Sequence, residues 1–212
     1  MKRDVYEVMS EVSPYVKELV ECMSPSLTFQ EYEPNKKFSF GYGVGQKCIV
    51  IQSGFVSVHI DTDQLMLGGV FTGPTILGLC SLKTDQVQCA LKIRSVSRLA
   101  VITMEELYSI LAKEQIWELF ARHLQVVSNK FLLNTFMLTA ENAYSLIRHQ
   151  LFELMYEPES YRAQTPVEHY IRGKTRLSRS GIMNILSKLK QGGYIVIENG
   201  ILISINKLPL KF

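Results

Sequence analysis

TPVEHYIRGKTRLSRSGIMNILSKLKQGGYIVIENGILISI, residues 165–205, decides the fold of this chain. Thr165-Pro166-Val167-Glu168 has the pattern of a capping box with proline at the first helical position, so a short helix is expected from there, ended by Gly173. Ser178 is the expected N-cap of a second helix, in which Ile182, Ile185, Leu186 and Leu189 form a buried stripe stopped by Gly192-Gly193. Two β-branched runs then flank Asn199-Gly200, a pair that accepts the positive φ of a type I′ turn and so predicts a hairpin. Two short helices joined by a tight basic turn and followed by a hairpin make a winged helix-turn-helix.

On a wheel of about 100° per residue, Ser180, Asn184, Ser187 and Gln191 stand opposite the apolar stripe, with Arg179, Met183 and Lys188 on the flanks. Such a face suits the major groove of double-stranded DNA: short hydrogen-bonding groups approach base edges while flanking cations meet phosphates. Arg179 is placed for a guanine O6/N7 pair, Asn184 for adenine and Met183 for a thymine methyl. Ser178 and Ser180 open the same helix, Lys188 borders it, and Lys174 and Arg176 sit in the preceding turn; together these eight are the candidate DNA contacts.

Charge agrees with that placement. The net charge is +3, but residues 1–138 carry 13 Lys/Arg against 14 Asp/Glu, whereas residues 139–212 carry 10 against 6. Between 162 and 190, Arg162, Arg172, Lys174, Arg176, Arg179, Lys188 and Lys190 face Glu168 as the only acid. A basic patch behind a near-neutral front half is what a polyanion-binding module on a neutral sensor looks like. The alternatives are a solvated basic face on a generic α+β appendage, or a ligand-sensing or docking module whose winged helix binds a protein partner.

Upstream, Thr139 offers an N-cap to a helix with the stripe Ala143, Leu146, Ile147, Gln150, Leu151, Leu154 and Met155, ended by Pro158; the polar stretch 157–164 reads as a surface connection. Before it, Trp117, Phe120, Leu124, Val127, Phe131, Asn134 and Leu138 recur at alternating spacings of three and four, a heptad seam with one polar member. A second stripe, Ile116, Leu119, Val126, Leu133 and Met137, lies beside it, more apolar surface than one partner covers. A homodimer through this helix is expected, with Asn134 fixing register or oligomer state; the alternative is that all of it is intrachain core. Between 27 and 103, short β-rich runs are punctuated by glycine, and Val56, Val58 and Ile60 alternate with Ser57, His59 and Asp61, which predicts an antiparallel barrel or roll. Val5, Val8, Val12, Val16, Leu19 and Val20 recur at helical spacing, broken or restarted at Ser13-Pro14.

A chain of 212 residues with 47% hydrophobic and 20% charged content can bury a real core, which excludes a disordered tail, a fibre or a disulfide-stapled miniprotein. No apolar run approaches the roughly 18 residues needed to cross a bilayer, and the N-terminus lacks a signal-peptide core, so a cytoplasmic location without membrane partners is expected. Cysteines at 22, 48, 80 and 89 are separated by gaps of 25, 31 and 8 intervening residues, unlike metal-site spacings. Buried reduced thiols are expected, with a redox-responsive Cys80/Cys89 pair as the alternative. The absence of a Gly-x-Ser-x-Gly, Walker, zinc or dinucleotide motif leads to the expectation that the chain is no enzyme and has no metal or cofactor.

The order of roll, long helix, further helix and winged helix, together with Leu177-Ser178-Arg179-Ser180-Gly181-Ile182 at the recognition-helix start, resembles the CRP/FNR superfamily of transcription regulators over nearly the whole chain. Within it, the chain is similar to the enterobacterial branch named for inhibition of hydrogen peroxide resistance, which implies a link to oxidative stress. The resemblance implies an α+β fold: a cyclic-nucleotide-binding-like β-roll with N-terminal helices at 1–112, a dimerisation helix at 113–138 and a winged helix-turn-helix at 139–212. It also implies that Arg179 contacts a base and that RNA polymerase is a further partner. Ser180 stands where many members have glutamate, and Asn184 where many have arginine, so a different operator code is expected. Cyclic-nucleotide binders in the superfamily use a glutamate for the ribose and an arginine for the cyclic phosphate. Here Gly73 to Leu82 holds no glutamate, and Gln88 or a neighbour takes the arginine position. Burying a phosphate without that cation would cost several kcal/mol, so cyclic nucleotides are not expected as ligands. The roll is left with an unknown, less anionic effector or none; haem on Cys80, Cys89 or His59 is the disfavoured alternative.

Overall fold

Ser13-Pro14 interrupts the N-terminal helical pattern, since proline disfavours helical backbone at the residue before it, and two helices result, Val5–Ser10 (α1) and Val16–Met23 (α2). The computed structural model describes residues 5–40, 47–61, 65–79, 88–139 and 142–209. They form two compact units, residues 12–129 and residues 130–209 joined by 5–11. The division at Asn129 falls inside the long helix, and α1 goes with the second unit, where it contacts the helix at 143–156. The expected boundaries lay at 112 and 138, with both N-terminal helices in the first domain.

The first unit is built on eight described strands: Gln30–Tyr32 (β1), Lys37–Phe40 (β2), Lys47–Ser53 (β3), Phe55–Asp61 (β4), Leu65–Thr72 (β5), Thr75–Leu77 (β6), Gln88–Ile93 (β7) and Ser97–Thr103 (β8). They pair antiparallel in two sheets, ordered β1-β8-β3-β6 and β2-β7-β4-β5, as the glycine-punctuated short runs predict. Strand β3 reads Cys48-Ile49-Val50-Ile51 without a polar break because both of its faces are covered. Ile49 and Ile51 pack with Val56, Val58, Leu91, Ile93 and Leu99 from both sheets. Cys48 and Val50 pack with Leu19 and Met23 of α2 and with Leu107 and Leu111 of Met104–Lys113 (α3). Gly54 turns β3 into β4 at φ +88°, and a Cβ there would stand 2.2 Å from Ser97 Oγ. Thr103 and Glu106 form a reciprocal capping box that starts α3. Trp117–Leu138 (α4) follows.

The second unit continues with Ala143–Tyr156 (α5), Glu159–Arg162 (α6), Val167–Lys174 (α7), Arg179–Gln191 (α8), Ile195–Glu198 (β9) and Ile201–Ile205 (β10). Asn142, not Thr139, caps α5, its side chain accepting from Ser145 N at 2.9 Å, while the Thr139 hydroxyl donates to Phe136 O at the end of α4. The 157–164 stretch is not a plain connection: it contains α6, with Tyr161 buried. The capping box expected at Thr165 does not form. The Thr165 hydroxyl donates to Tyr161 O, Val167 N donates to Gly200 O of the hairpin turn, and Glu168 turns sideways along its own helix. A tertiary acceptor displaces the local one, because the hairpin brings a carbonyl to the helix start. Helix α7 also runs through Gly173 to Lys174.

Candidate nucleic-acid interface

Helix α8 is held where the sequence reading puts it. Ser178 Oγ accepts from Gly181 N at 3.2 Å, a cap whose loss typically costs about 1 kcal/mol. Ile182, Leu186 and Leu189 are buried, each contributing roughly 1.5–3 kcal/mol of hydrophobic burial. The helix stops at Gly192, and Gly193 takes φ +68°. On the opposite side Ser180, Asn184, Ser187 and Gln191 are exposed, with Met183 and Lys188 beside them. Arg179, at the entry end, has 75% of its side chain exposed. Seven of the eight candidate contacts, Arg176, Ser178, Arg179, Ser180, Met183, Asn184 and Lys188, thus lie on accessible surface, although the Ser178 hydroxyl is engaged as the cap. The hairpin turns through Asn199 at φ +49° and Gly200 at φ +83°, the positive pair that Asn-Gly predicts. Its register shifts between Leu202 and Ser204.

Lys174 is the exception. Its side chain is 7% exposed, its amine forms an ion pair and hydrogen bond with Glu153 of α5, and it stands 5.0 Å from the centre of the Tyr170 ring. It cannot meet phosphate in this arrangement, and the expectation is corrected: α7 packs on α5, and the last-turn lysine points into that packing. Around it lies a polar cluster that composition and periodicity do not reveal. Tyr170 OH donates to Glu157 Oε1 at 2.7 Å. Burial pushes the Glu157 carboxyl up to about 7, with Lys174 and the Tyr170 hydrogen bond opposing. His149, also buried, is held below its ordinary range by desolvation.

Glu168, the lone acid of the basic stretch, is the other residue that sequence reasoning misplaced. Its carboxylate, 9% exposed, lies 2.8 Å from Arg172 Nε, 3.5 Å from His169 Nε2 and 3.9 Å from Arg179 Nε. The approach to Arg179 is the longest of the three, and that guanidinium stays mostly in solvent. An acid eleven residues before the recognition arginine, isolated among cations, was the available signal.

The proposed seam divides in two. Phe120 is 5% exposed and belongs to the core of the first unit, with Ile116, Leu119 and Leu124 packed against the same cluster. Val127 and Asn134 are half-buried, while Trp117, Phe131 and Leu138 are exposed. The most exposed apolar side chains of α4, Leu132 at 70% and Phe136 at 74%, were not in the seam. In the roll, Gln88 is exposed at the start of β7. Burial raises the Cys48 thiol to about 12 and also raises Cys89; Cys80 lies outside the described residues. His59 Nε2 shares a 2.9 Å hydrogen bond with Ser57 Oγ. Among the described residues no group of three or more His, Cys, Asp or Glu is placed to hold a metal ion, and no helix is long and apolar enough to cross a membrane.

Comparison with known proteins bears on both units. A family model described as winged helix-turn-helix DNA binding matches residues 143–210. Over 197 residues, 92% of this chain and 94% of that protein, the chain is 27% identical to the Inhibitor of hydrogen peroxide resistance of Escherichia coli (strain K12). Among solved structures, the c-di-GMP responsive global regulator CLP of Xanthomonas campestris is similar with a TM-score of 0.67 and 20% identity, over 90% of this chain and 99% of that one. A transcriptional regulator of the crp/fnr family from Eubacterium rectale is similar with a TM-score of 0.59 and 12% identity, over 88% of each chain. The fold of these regulators is the fold of this chain, roll, long helix and winged helix-turn-helix included.

Proposed function

We propose that this chain, built on the CRP/FNR regulator fold, is a homodimeric sequence-specific DNA-binding transcription regulator of the cytoplasm, related in role to the inhibitors of hydrogen peroxide resistance. The observation that carries the proposal is the outward face of α8: Ser180, Asn184, Ser187 and Gln191 exposed and uncharged, Arg179 and Lys188 exposed at its borders. Polar groups of that size fit base edges, and the cations fit the phosphates on either side. Phe131, Leu132 and Phe136 support the dimer, since three large apolar side chains more than half exposed on one helix mark a surface that another chain covers. Two copies would place α8 in successive major grooves about 34 Å apart, so the operator is a near-palindrome.

Cyclic AMP and cyclic GMP are not ligands in this proposal. In support, the neutral Gln88 stands where the resemblance puts the phosphate-pairing arginine, and a buried phosphate left without a cation is expensive. Calorimetric titration with either nucleotide is expected to give no binding heat and no change in operator affinity.

The deciding experiment is selection of bound genomic fragments followed by electrophoretic titration. A near-palindromic site preferred over random duplex is expected, with affinity falling steeply as salt rises. Equal affinity for selected and random DNA, together with a stoichiometric protein partner that survives nuclease treatment, would replace the regulator with a docking module.

A further inference from the structure

Helix α1 is six residues long, too short to stay helical on its own hydrogen bonds, so its structure depends on what it packs against. It packs on α5. Tyr6, its buried residue, stacks on Phe152 with ring centres 4.7 Å apart and stands 5.4 Å from the imidazole of His149. Arg148 lies 5.0 Å from the centre of the same Phe152 ring. At the far end of the helix the Lys130 amine donates to Met9 O at 3.1 Å and to Glu11 O, carbonyls at and just beyond the C-terminal turn, where intrahelical donors run out. Both anchors lie in one compact unit.

His149 is the unusual member of this interface. It is 1% exposed, and among the described residues no group hydrogen-bonds to either ring nitrogen. An imidazolium in the same place would bury a full charge and two N–H donors without acceptors, far more costly than the neutral ring. Glu153, one turn further along α5, favours the cation, and Lys174 of α7, itself paired with Glu153, opposes it. Among the described residues no charged group of α8 or β10, which also pack on α5, acts on the ring. From α1 the ring meets Tyr6, while Glu7 is exposed and Glu11 lies at the lysine clamp. Desolvation outweighs the rest and holds the imidazole below its ordinary 6.5. Of the elements that cover α5, α7 is anchored by the fully buried Tyr170 and Ile171, whereas α1 is held by one ring and one lysine. The element with least buried surface is the one that opens first.

We propose that α1 is an acid-released strap, docked on α5 while His149 is neutral and displaced when the buried imidazole takes a proton, which uncovers the Phe152 face of α5. Acid does not open the lysine clamp directly, because a lower pH only keeps the amine protonated. Glu157 works in the opposite sense, since burial raises its carboxyl and protonation relieves it. Docking is therefore complete above 6.5 and weakens as the pH falls from there through the lowered value of the docked ring. The strap operates whatever α8 binds.

The test is hydrogen exchange of the full chain followed by mass spectrometry, with protection expressed relative to intrinsic exchange at each pH and residues 179–191 of α8 as the internal reference. Protection of residues 5–11 is expected to fall by up to about tenfold per pH unit below 6.5 while α8 keeps its own. His149→Phe, which keeps an aromatic ring beside Tyr6 without a titrating nitrogen, is expected to abolish that dependence, and Glu157→Gln to leave it in place. Protection of 5–11 that ignores pH, a parallel fall in α8, or equal falls in the parent and His149→Phe would each overturn the strap. A second readout does not depend on how well the phenylalanine packs: in a titration of the histidine ring resonances, Tyr6→Ala is expected to raise the His149 pKa toward 6.5, because an uncovered ring regains water. An unchanged His149 pKa in Tyr6→Ala would overturn the strap as well.

Discussion

Helix α7 ends in Arg172 and Lys174, and helix α8 carries Arg179, Lys188 and Lys190; along the chain these five form one basic run. In the fold they separate. The cations of α7 are paired by the protein itself, the exposed Arg172 by Glu168 and the buried Lys174 by Glu153 beneath Tyr170, whereas Arg179 and Lys188 stand in solvent beside an uncharged polar row. The underside of α7 is a buried electrostatic joint to α5, while the outer side of α8 is a surface kept clear for a ligand. Sign of charge alone did not distinguish the two uses. What distinguishes them is how near a carboxylate comes: Glu168 is 2.8 Å from Arg172 but 3.9 Å from the largely exposed Arg179, and Glu153 pairs with the buried Lys174.

The sharpest way to break this contrast is Lys174→Ala. Glu153 would lose its partner at a partly dry site, and a stability loss of about 3 kcal/mol is expected, read as a lower denaturant midpoint, with no selective change in operator preference once folded protein is compared. A fall in DNA affinity with unchanged stability would return Lys174 to the contact set.

Next in size is Glu157→Gln, which keeps an acceptor for Tyr170. An acid whose folded pKa is raised to about 7 against an ordinary 4.5 is penalised in its charged form. The penalty is absent below 4.5, grows as pH rises through that window and is complete above 7. The variant is therefore expected to exceed the parent in stability by on the order of 2 kcal/mol at pH 8 and to match it near pH 4.5. His149, with its lowered pKa, works in the opposite direction below about 6.5, which is why the difference between variant and parent is the quantity to follow. A pH-independent difference would place Glu157 in a wetter site than described.

On the α8 side, Arg179→Ala is expected to leave the Tm unchanged while lowering preference for the selected operator by roughly tenfold, about 1.4 kcal/mol. A uniform loss on all sequences would make Arg179 a phosphate contact. The smallest effect belongs to Lys188→Ala: stability within about 0.5 kcal/mol of the parent and a salt slope shallower by about 0.9, the contribution of one phosphate.

Much of the interface could be read along the chain. Ser178 caps α8, Gly192-Gly193 stops it and Asn199-Gly200 turns the hairpin, because each depends on backbone groups within a few residues. The alternation in β4 and the unbroken apolar run of β3 likewise report which faces are covered. Thr165 misled because the rival acceptor, Gly200 O, comes from 35 residues away in the sequence. Leu132 and Phe136 escaped notice because a heptad template selects one line along a helix that carries apolar residues on several. Phe120 satisfied the template yet belongs to the core of its own chain.

Caps, turns and alternation were settled by short-range chemistry, since hydrogen bonds and φ preferences act between near neighbours. The roles of individual charges were settled only when distant segments met. Glu153 for Lys174, Ser57 for Arg94 and Glu168 beside Arg179 are pairings between different elements of the fold. The strength of each pairing depends on the burial and geometry produced where those elements pack, and no local pattern in the chain encodes either.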